Sequence, residues 1–369
     1  MSFRSALVLG ILLASQQGLQ AAAPENADKL AIIDISKVDA DFAYQGEYVG
    51  SISGKQTGWQ VIARGDGKFD AVSYPGGLPG AGWNGQGKWK MSGALSGDHV
   101  SFASKMYLDQ TEQTVTFSTD GTIATVTDAG GIVLGTLAKT HRVSPTMGVA
   151  PPFGATTLFC GTHTWNFKDA KVTPEGLLQE GTELVTPYQD FMLHLEFRLP
   201  YMPYATGQAR SNSGMYLQSR YEVQILDSFG LDGEFNECGA LYRYKTPDVN
   251  MCLPPLSWQT YDIQFQAARF DSAGKKTQNA KITVWHNGVK VQDHFEIERK
   301  TGAGQQESAQ ALVTKIQNHS NPVRFRNIWI IDYREPAPHP LVHTDAVPWS
   351  PELYTAPRDP FVPVLSSAR

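Results

Sequence analysis

The chain is poor in charge, in cysteine and in long apolar runs, and each shortage removes a class of protein. Charged residues make up 18% of its 369, below the quarter usual in soluble domains, and the net charge is −5. No basic cluster is present on which a phosphate backbone would dock, so a nucleic-acid partner is not expected. Three cysteines are too few for a disulfide-built scaffold, and none stands in Cys-x-x-Cys spacing. G-x-S-x-G is missing as well, which removes the nucleophile elbow of serine hydrolases. Past the N-terminus no stretch approaches the 18 apolar residues of a spanning helix, so no membrane span is expected.

What the chain has is turn chemistry. Thirty-four glycines, 22 prolines and 11% aromatics suit many short strands, and 41% apolar residues are enough for real cores. The fold class expected is all-β, with a length that suggests two units. Residues 1–23 read as a secretory signal peptide: Arg4, an apolar stretch from Ala6 to Ala14, then Ala21-Ala22-Ala23 before Pro24. That predicts an exported protein, periplasmic or extracellular. Residues 38–145 read as a small β-rich module with strands near 58–63, 69–74, 99–102, 114–117, 122–126 and 131–134. Asp120-Gly121 is a hairpin turn there. The glycine-rich loop 76–85 is no phosphate loop, because Lys88 is followed by Trp89. Residues 150–334 read as a larger β unit. The tail 335–369 carries eight prolines, too many for regular structure.

Three strands organise the larger unit. From Phe191 to Leu199 apolar residues alternate with His194, Glu196 and Arg198. Met215 to Gln218 is the second strand, and Tyr221 to Leu226 the third, with Arg220, Glu222 and Gln224 opposite its apolar set. A polar face of His194, Glu196, Arg198, Tyr216, Gln218, Arg220, Glu222 and Gln224 is either a wet, salt-bridged surface or a site for hydroxyl recognition and proton transfer. Under the bland reading Glu222 pairs with Arg220 or Arg198. Under the functional one it is a solvent-facing base, with Glu196 as a second carboxylate for acid/base glycoside hydrolysis. Asn212 and Tyr216 are candidate hydroxyl ligands, and Asp227 orients a partner or binds a cation.

The wording of this region is specific. N-S-G-x-Y-L-Q-x-R-Y-E-V-Q-I-L-D-S from Asn212, Glu196 to Arg198, Trp258 to Ile263, and Ile316 to Ile330 resemble, in order and spacing, the signature of the 3-keto-disaccharide hydrolase domain family. The resemblance covers about 150–334. It implies a concanavalin-like β-sandwich (jelly roll) that acts on a carbohydrate substrate. It also implies a reaction: a ketone at C3 acidifies the C2 proton, a base removes it, C1 loses its substituent, and water adds back. Glu222 matches the family's R-Y-E-V-Q, and His319 matches the histidine of the loop before the last strand. Catalytic candidates are therefore Glu222, His319 and Glu196; Arg198, Asn212, Tyr216, Gln218, Arg220, Gln224 and Asp227 are candidates for substrate binding. The competing function is a non-catalytic, lectin-like carbohydrate-binding protein on the same fold.

Two further expectations concern cross-links. In an exported chain Cys238 and Cys252 would close a loop of about 15 residues, worth roughly 3 kcal/mol, leaving Cys160 buried and unpaired. Asp227, Asp232 and Glu234 are oxygen ligands for a divalent cation such as calcium, if one is held.

Overall fold

The computed structural model describes residues 25–108 and 111–333; the expected signal peptide, residues 1–23, and the tail 335–369 lie outside them. The first unit is a closed antiparallel barrel. Its strands run β1 (Gly46–Ile52), β2 (Lys55–Ala63), β3 (Lys68–Pro75), β4 (Trp89–Ser96), β5 (His99–Leu108), β6 (Thr111–Thr119), β7 (Ile123–Asp128) and β8 (Val133–Thr140). Each pairs with the next, and β8 returns to β1, so no edge is left for unwanted pairing. Alternation supplies the interior: Trp59 lies 5.1 Å from both Phe102 and Phe117, ring to ring, with Tyr48 at 5.3 Å. At the predicted hairpin, Asp120 accepts from the amides of Thr122 and Ile123, and Gly121 takes φ +91°. Strands β1 and β4 escaped the sequence reading. Their glycines interrupt the pattern, and β4 is half in solvent.

The second unit is a sandwich. One sheet has five strands, in the order β10 (Phe167–Lys168), β12 (Thr182–Leu184), β21 (Lys315–Ile316), β14 (Ser213–Leu217), β15 (Tyr221–Ile225). The other runs β11 (Leu178–Gln179), β22 (Arg324–Asp332), β13 (Asp190–Arg198), β16 (Trp258–Gln266), β19 (Ala280–His286), β20 (Val289–Ile297), with β9 (Thr156–Phe159) also on β22. A two-stranded ribbon, β17 (Arg269–Phe270) and β18 (Lys276–Gln278), completes it. Between the sheets lie Phe191, Leu193, Leu195 and Phe197 of β13, Met215 and Leu217 of β14, and Tyr221, Val223 and Ile225 of β15, all at most 2% exposed. The expected alternation is thus met on the core side. Asn287-Gly288, with φ +51° and +79°, makes the β19–β20 hairpin that its sequence announces. The all-β class holds throughout: helix is limited to four short 3-10 turns among the described residues.

The barrel docks on the sandwich through side chains from the long loops. Tyr201 donates to Asp39 at 2.9 Å, Tyr204 to Asp66 at 2.9 Å, and Lys90 to Asp232 at 2.5 Å. Gly230 has φ +77° and approaches Ile62 so closely that a Cβ there would meet the Ile62 side chain at 2.4 Å.

The predicted Cys238–Cys252 bridge is not formed. Both are buried thiols, hydrogen-bonded to each other, with the Cys238 sulfur 3.1 Å from the Tyr261 hydroxyl and Cys252 against the Leu226 carbonyl at 3.5 Å. Core packing and hydrogen bonds hold them instead. Cys160, expected in the core, is exposed.

Candidate active site

The outer face of the five-stranded sheet carries a row of side chains in strict register. Glu222 on β15 stands opposite Tyr216 on β14, Tyr216 opposite Lys315 on β21, Lys315 opposite Glu183 on β12, and Glu183 opposite Lys168 on β10. Residues directly opposite in an antiparallel pair point to one side, and the alternate positions Met215, Val223, Ile316, Leu184 and Phe167 fill the core. The row is therefore a continuous strip: carboxyl, phenol, ammonium, carboxylate, ammonium. Lys168, Glu183, Lys315 and Tyr216 line an open groove of about 410 Å³, with Gln317 and Asn318 on one side and Ala303 and Gln305 on the other. That volume suits a sugar-sized ligand.

Glu222 lies behind Tyr216, roofed by the loop around Gly302 rather than facing solvent as expected; it is 1% exposed. Thr301 Oγ1 accepts from the Glu222 amide at 2.7 Å, and the Tyr242 amide donates to the Glu222 carbonyl at 3.0 Å. Its side chain is poorly matched by comparison. Oε2 has no hydrogen-bond partner among the described residues. Burial pushes the carboxyl up to about 7, with only the Tyr216 hydrogen bond pulling the other way. Neither Arg220 nor Arg198 pairs with it, so the salt-bridge reading fails. Burial, then the neighbouring carboxyl, also raises the Tyr216 phenol.

Glu196 belongs elsewhere. It lies on the outer face of the seven-stranded sheet, across the core from Glu222, and the two do not converge. There the segment from Ser144 to Val149 straps down over β13. The Gly148 amide donates to Glu196 Oε1 at 2.6 Å, Asn327 to the same oxygen at 2.8 Å, and Arg326 to Oε2 at 2.6 Å. His194 bonds Asp262 at 2.7 Å and stacks on Trp329 at 5.0 Å. Burial works against the Glu196 charge, yet His194, Asn327 and Arg326 hold its pKa down at about 2. Burial likewise opposes the His194 charge, while Asp262 and Glu196 hold it up at about 9. The cluster is a closed, satisfied ion network. Three of the four motif segments read in the sequence contribute to it, and one of these, Ile316 to Ile330, also lines the groove through Gln317 and Asn318.

With this geometry in view, likeness to known proteins becomes informative. Residues 154–331 match the model of the 3-keto-alpha-glucoside-1,2-lyase-like domain family. The resemblance seen in the motifs thus holds over the sandwich and excludes the barrel. The match supports a glycoside-acting enzyme. Among solved structures, two candidate glycosyl hydrolases from Parabacteroides distasonis align. The first is 29% identical, covering 49% of this chain and 84% of that one, with a TM-score of 0.45. The second is 18% identical, covering 48% and 94%, with a TM-score of 0.36. No curated protein matches the chain.

Within the matched stretch 154–331 the other expected residues divide. Tyr216 lines the groove. Asn212 and Gln224 share its face but are buried. Asn212 donates to the Gln208 carbonyl at 2.8 Å, Gln224 to Gln208 Oε1 at 3.0 Å, and each keeps an unpartnered side-chain oxygen. His319 is exposed, next to the groove residue Asn318 but outside the lining. Arg220 sits in the β14–β15 turn and spends its guanidinium on Gln218, the Gln306 and Gln310 carbonyls and Ser308, at 2.8 to 3.0 Å. Gln218 completes that clamp through the Tyr188 carbonyl at 2.9 Å. Both hold the covering loop and do not reach the groove. Arg198 lies over Trp258 on the opposite sheet.

Of the three acids expected as cation ligands, Asp227 and Asp232 are paired within the chain and Glu234 is exposed. Asp227 is held by Arg210 at 2.6 Å, and Asp232 by Lys88 and, at 2.5 Å, by Lys90 of the barrel. Those acids are neutralised by the chain's own cations, and no cluster of three metal-ligating side chains exists among the described residues. Sequence reasoning missed Lys315, Glu183 and Lys168 entirely. The only signal was Lys315 alternating with Ile316 just before the matched Q-N-H loop.

Proposed function

We propose that the chain is an exported enzyme that cleaves 3-keto-glycosides, with Glu222 as the base that accepts the C2 proton. The observation that carries this reading is a buried carboxyl near neutral pKa, with one oxygen unpartnered among the described residues, set directly opposite a tyrosine that lines a sugar-sized groove. The family match supports the substrate class.

In the proposed route the sugar's C3 ketone makes C2–H acidic. Tyr216 faces the substrate, so its oxygen takes the C2 proton as its own proton moves to Glu222. The C2–H electron pair forms an enolate with charge on the C3 oxygen. The enolate then restores the carbonyl, forms the C1=C2 bond and expels the C1 substituent, whose oxygen takes the proton back from Glu222 by way of Tyr216. Water adds at C1 and a proton returns to C2, giving net hydrolysis. The base sees a driving force set by the Glu222 pKa, near working pH, instead of that of a phenol.

Ordinary two-carboxylate hydrolysis is less favoured. Glu196 is across the core. Glu183 is three strands from Glu222, about 14 Å at ordinary strand spacing, beyond the roughly 6.5–9.5 Å of inverting carboxyl pairs.

The deciding assay compares methyl 3-keto-glucoside with methyl glucoside, and follows C2 proton exchange in heavy water. Turnover confined to the oxidised sugar, with exchange at C2, is expected. Equal cleavage of both sugars would point to ordinary glycosidase chemistry, and tight binding without turnover or exchange to a lectin. Export predicts a mature N-terminus near Pro24 on sequencing of the secreted protein; intact Met1 there would contradict it.

A further inference from the structure

The route above leaves charge on the C3 oxygen, and something must meet it. We infer that Lys315 is a further catalytic residue: its ammonium holds the C3 oxygen while Tyr216 and Glu222 take the C2 proton. This rests on the 3-keto-glycoside reading.

Three observations carry it. First, position: Tyr216 is the shared neighbour of Glu222 and Lys315, one strand to either side, all on one sheet face. C2 and C3 are bonded carbons, so the group that takes the C2 proton and the group that meets the C3 oxygen must be adjacent. Neighbouring strands, about 4.8 Å apart, supply that adjacency. Second, identity: the groove is lined by two cations, Lys168 and Lys315. Lys168 is three strands from Tyr216, about 14 Å, too far to serve the same ring edge. Third, charge balance: Glu183 is shared by both lysines, at 3.1 Å from Lys315 and 3.5 Å from Lys168. One carboxylate against two ammonium groups anchors Lys315 while leaving one positive charge in the strip uncompensated by Glu183. As the C2 proton neutralises Glu222, the developing oxyanion becomes the anion that balances this charge, and the neutral ketone and the unoxidised sugar offer none, so the interaction favours the charged state along the reaction.

The bland alternative is a surface ion pair, since the Lys315 side chain is 38% exposed. The two differ in outcome. Purified full-length wild type, Lys315→Met, Lys315→Arg and Lys281→Met are compared on methyl 3-keto-glucoside. The measurements are kcat, KM, C2 proton exchange in heavy water, and melting temperature. Expected for Lys315→Met is a fall in kcat of roughly 10²–10³, the usual effect of removing one oxyanion donor, with slowed exchange and little change in KM or melting temperature. Lys315→Arg should recover at least tenfold over Met, and Lys281→Met, which removes an exposed lysine paired with Glu296 on the other sheet, should stay within about threefold of wild type. If Lys315→Met turns over and exchanges within about threefold of wild type, or Arg is no better than Met, the assignment is wrong. A wild-type protein that neither cleaves nor exchanges the keto-sugar would overturn the underlying reading instead, and this one with it.

Discussion

The outer faces of the two sheets present the same raw material and opposite chemistry. Each carries a glutamate mid-strand, and each glutamate is 1% exposed. On the seven-stranded sheet Glu196 is met by an amide, an asparagine, an arginine and a histidine, and its carboxylate stays ionised down to about pH 2. On the five-stranded sheet Glu222 has one phenol and an unpartnered oxygen, and titrates near 7. Burial alone therefore does not mark a reactive group. Burial without compensation does, because the desolvation penalty then falls on the charged form and moves the proton affinity toward working pH.

The comparison can be broken first at Glu222. Glu222→Gln keeps the shape and removes the proton acceptor, so turnover on a 3-keto-glucoside should fall by roughly 10²–10⁴, with the fold intact by circular dichroism. Turnover like that of wild type would return Glu222 to the ranks of buried spectators.

Glu196→Ala should do the reverse. It strips a buried network of its central anion, takes the carboxylate from Arg326 and leaves His194 with Asp262 alone. A loss of about 3–5 kcal/mol in denaturant unfolding is expected. Activity per folded molecule should change far less than for Glu222→Gln. A loss under about 1 kcal/mol would mean that the cluster is not the lock described here.

Stability against pH separates the two carboxyls by sign. Glu222 has a folded pKa of about 7, above its ordinary 4.5, so its contribution is fully present below 4.5 and is lost as pH rises through 7. Glu196 has a folded pKa of about 2, below 4.5, so its contribution is present above 4.5 and is lost as pH falls toward 2. Each is worth about 3 kcal/mol over its window. Melting curves should show the neutral-side loss shrink in Glu222→Gln and the acid-side loss persist. The smallest effect is expected at the barrel contact. Asp232→Asn breaks an exposed pair with Lys88 and Lys90 and should cost about 0–1 kcal/mol, read as a small shift in the unfolding midpoint.

Part of this was legible in the chain itself. The alternation of Phe191 to Leu199, the Asn287-Gly288 turn and the Asp120-Gly121 turn are local signals, and the structure follows them. Glu222 could be singled out because its strand phase puts it opposite Tyr221, Val223 and Ile225. Lys315 could not. It is brought beside Tyr216 only by pairing of strands far apart in sequence, and its own strand is two residues long. The polar face was read as one surface, but β13 lies in one sheet and β14 and β15 in the other. Arg220 shares strand phase with Glu222 yet turns away, because Gln218 and Ser219 adopt left-handed backbone and aim it at the covering loop.

By itself the sequence determined the class of fold, the strands with clear alternation and which residues share a side of each. Those follow from backbone geometry that repeats every two residues and needs no distant partner. Only the tertiary structure decided which glutamate is neutralised and which is left reactive. A carboxyl's proton affinity depends on the charges and donors within a few ångströms of it, and here those come from segments such as 144–149 and 301–305, placed by the packing of the whole sandwich.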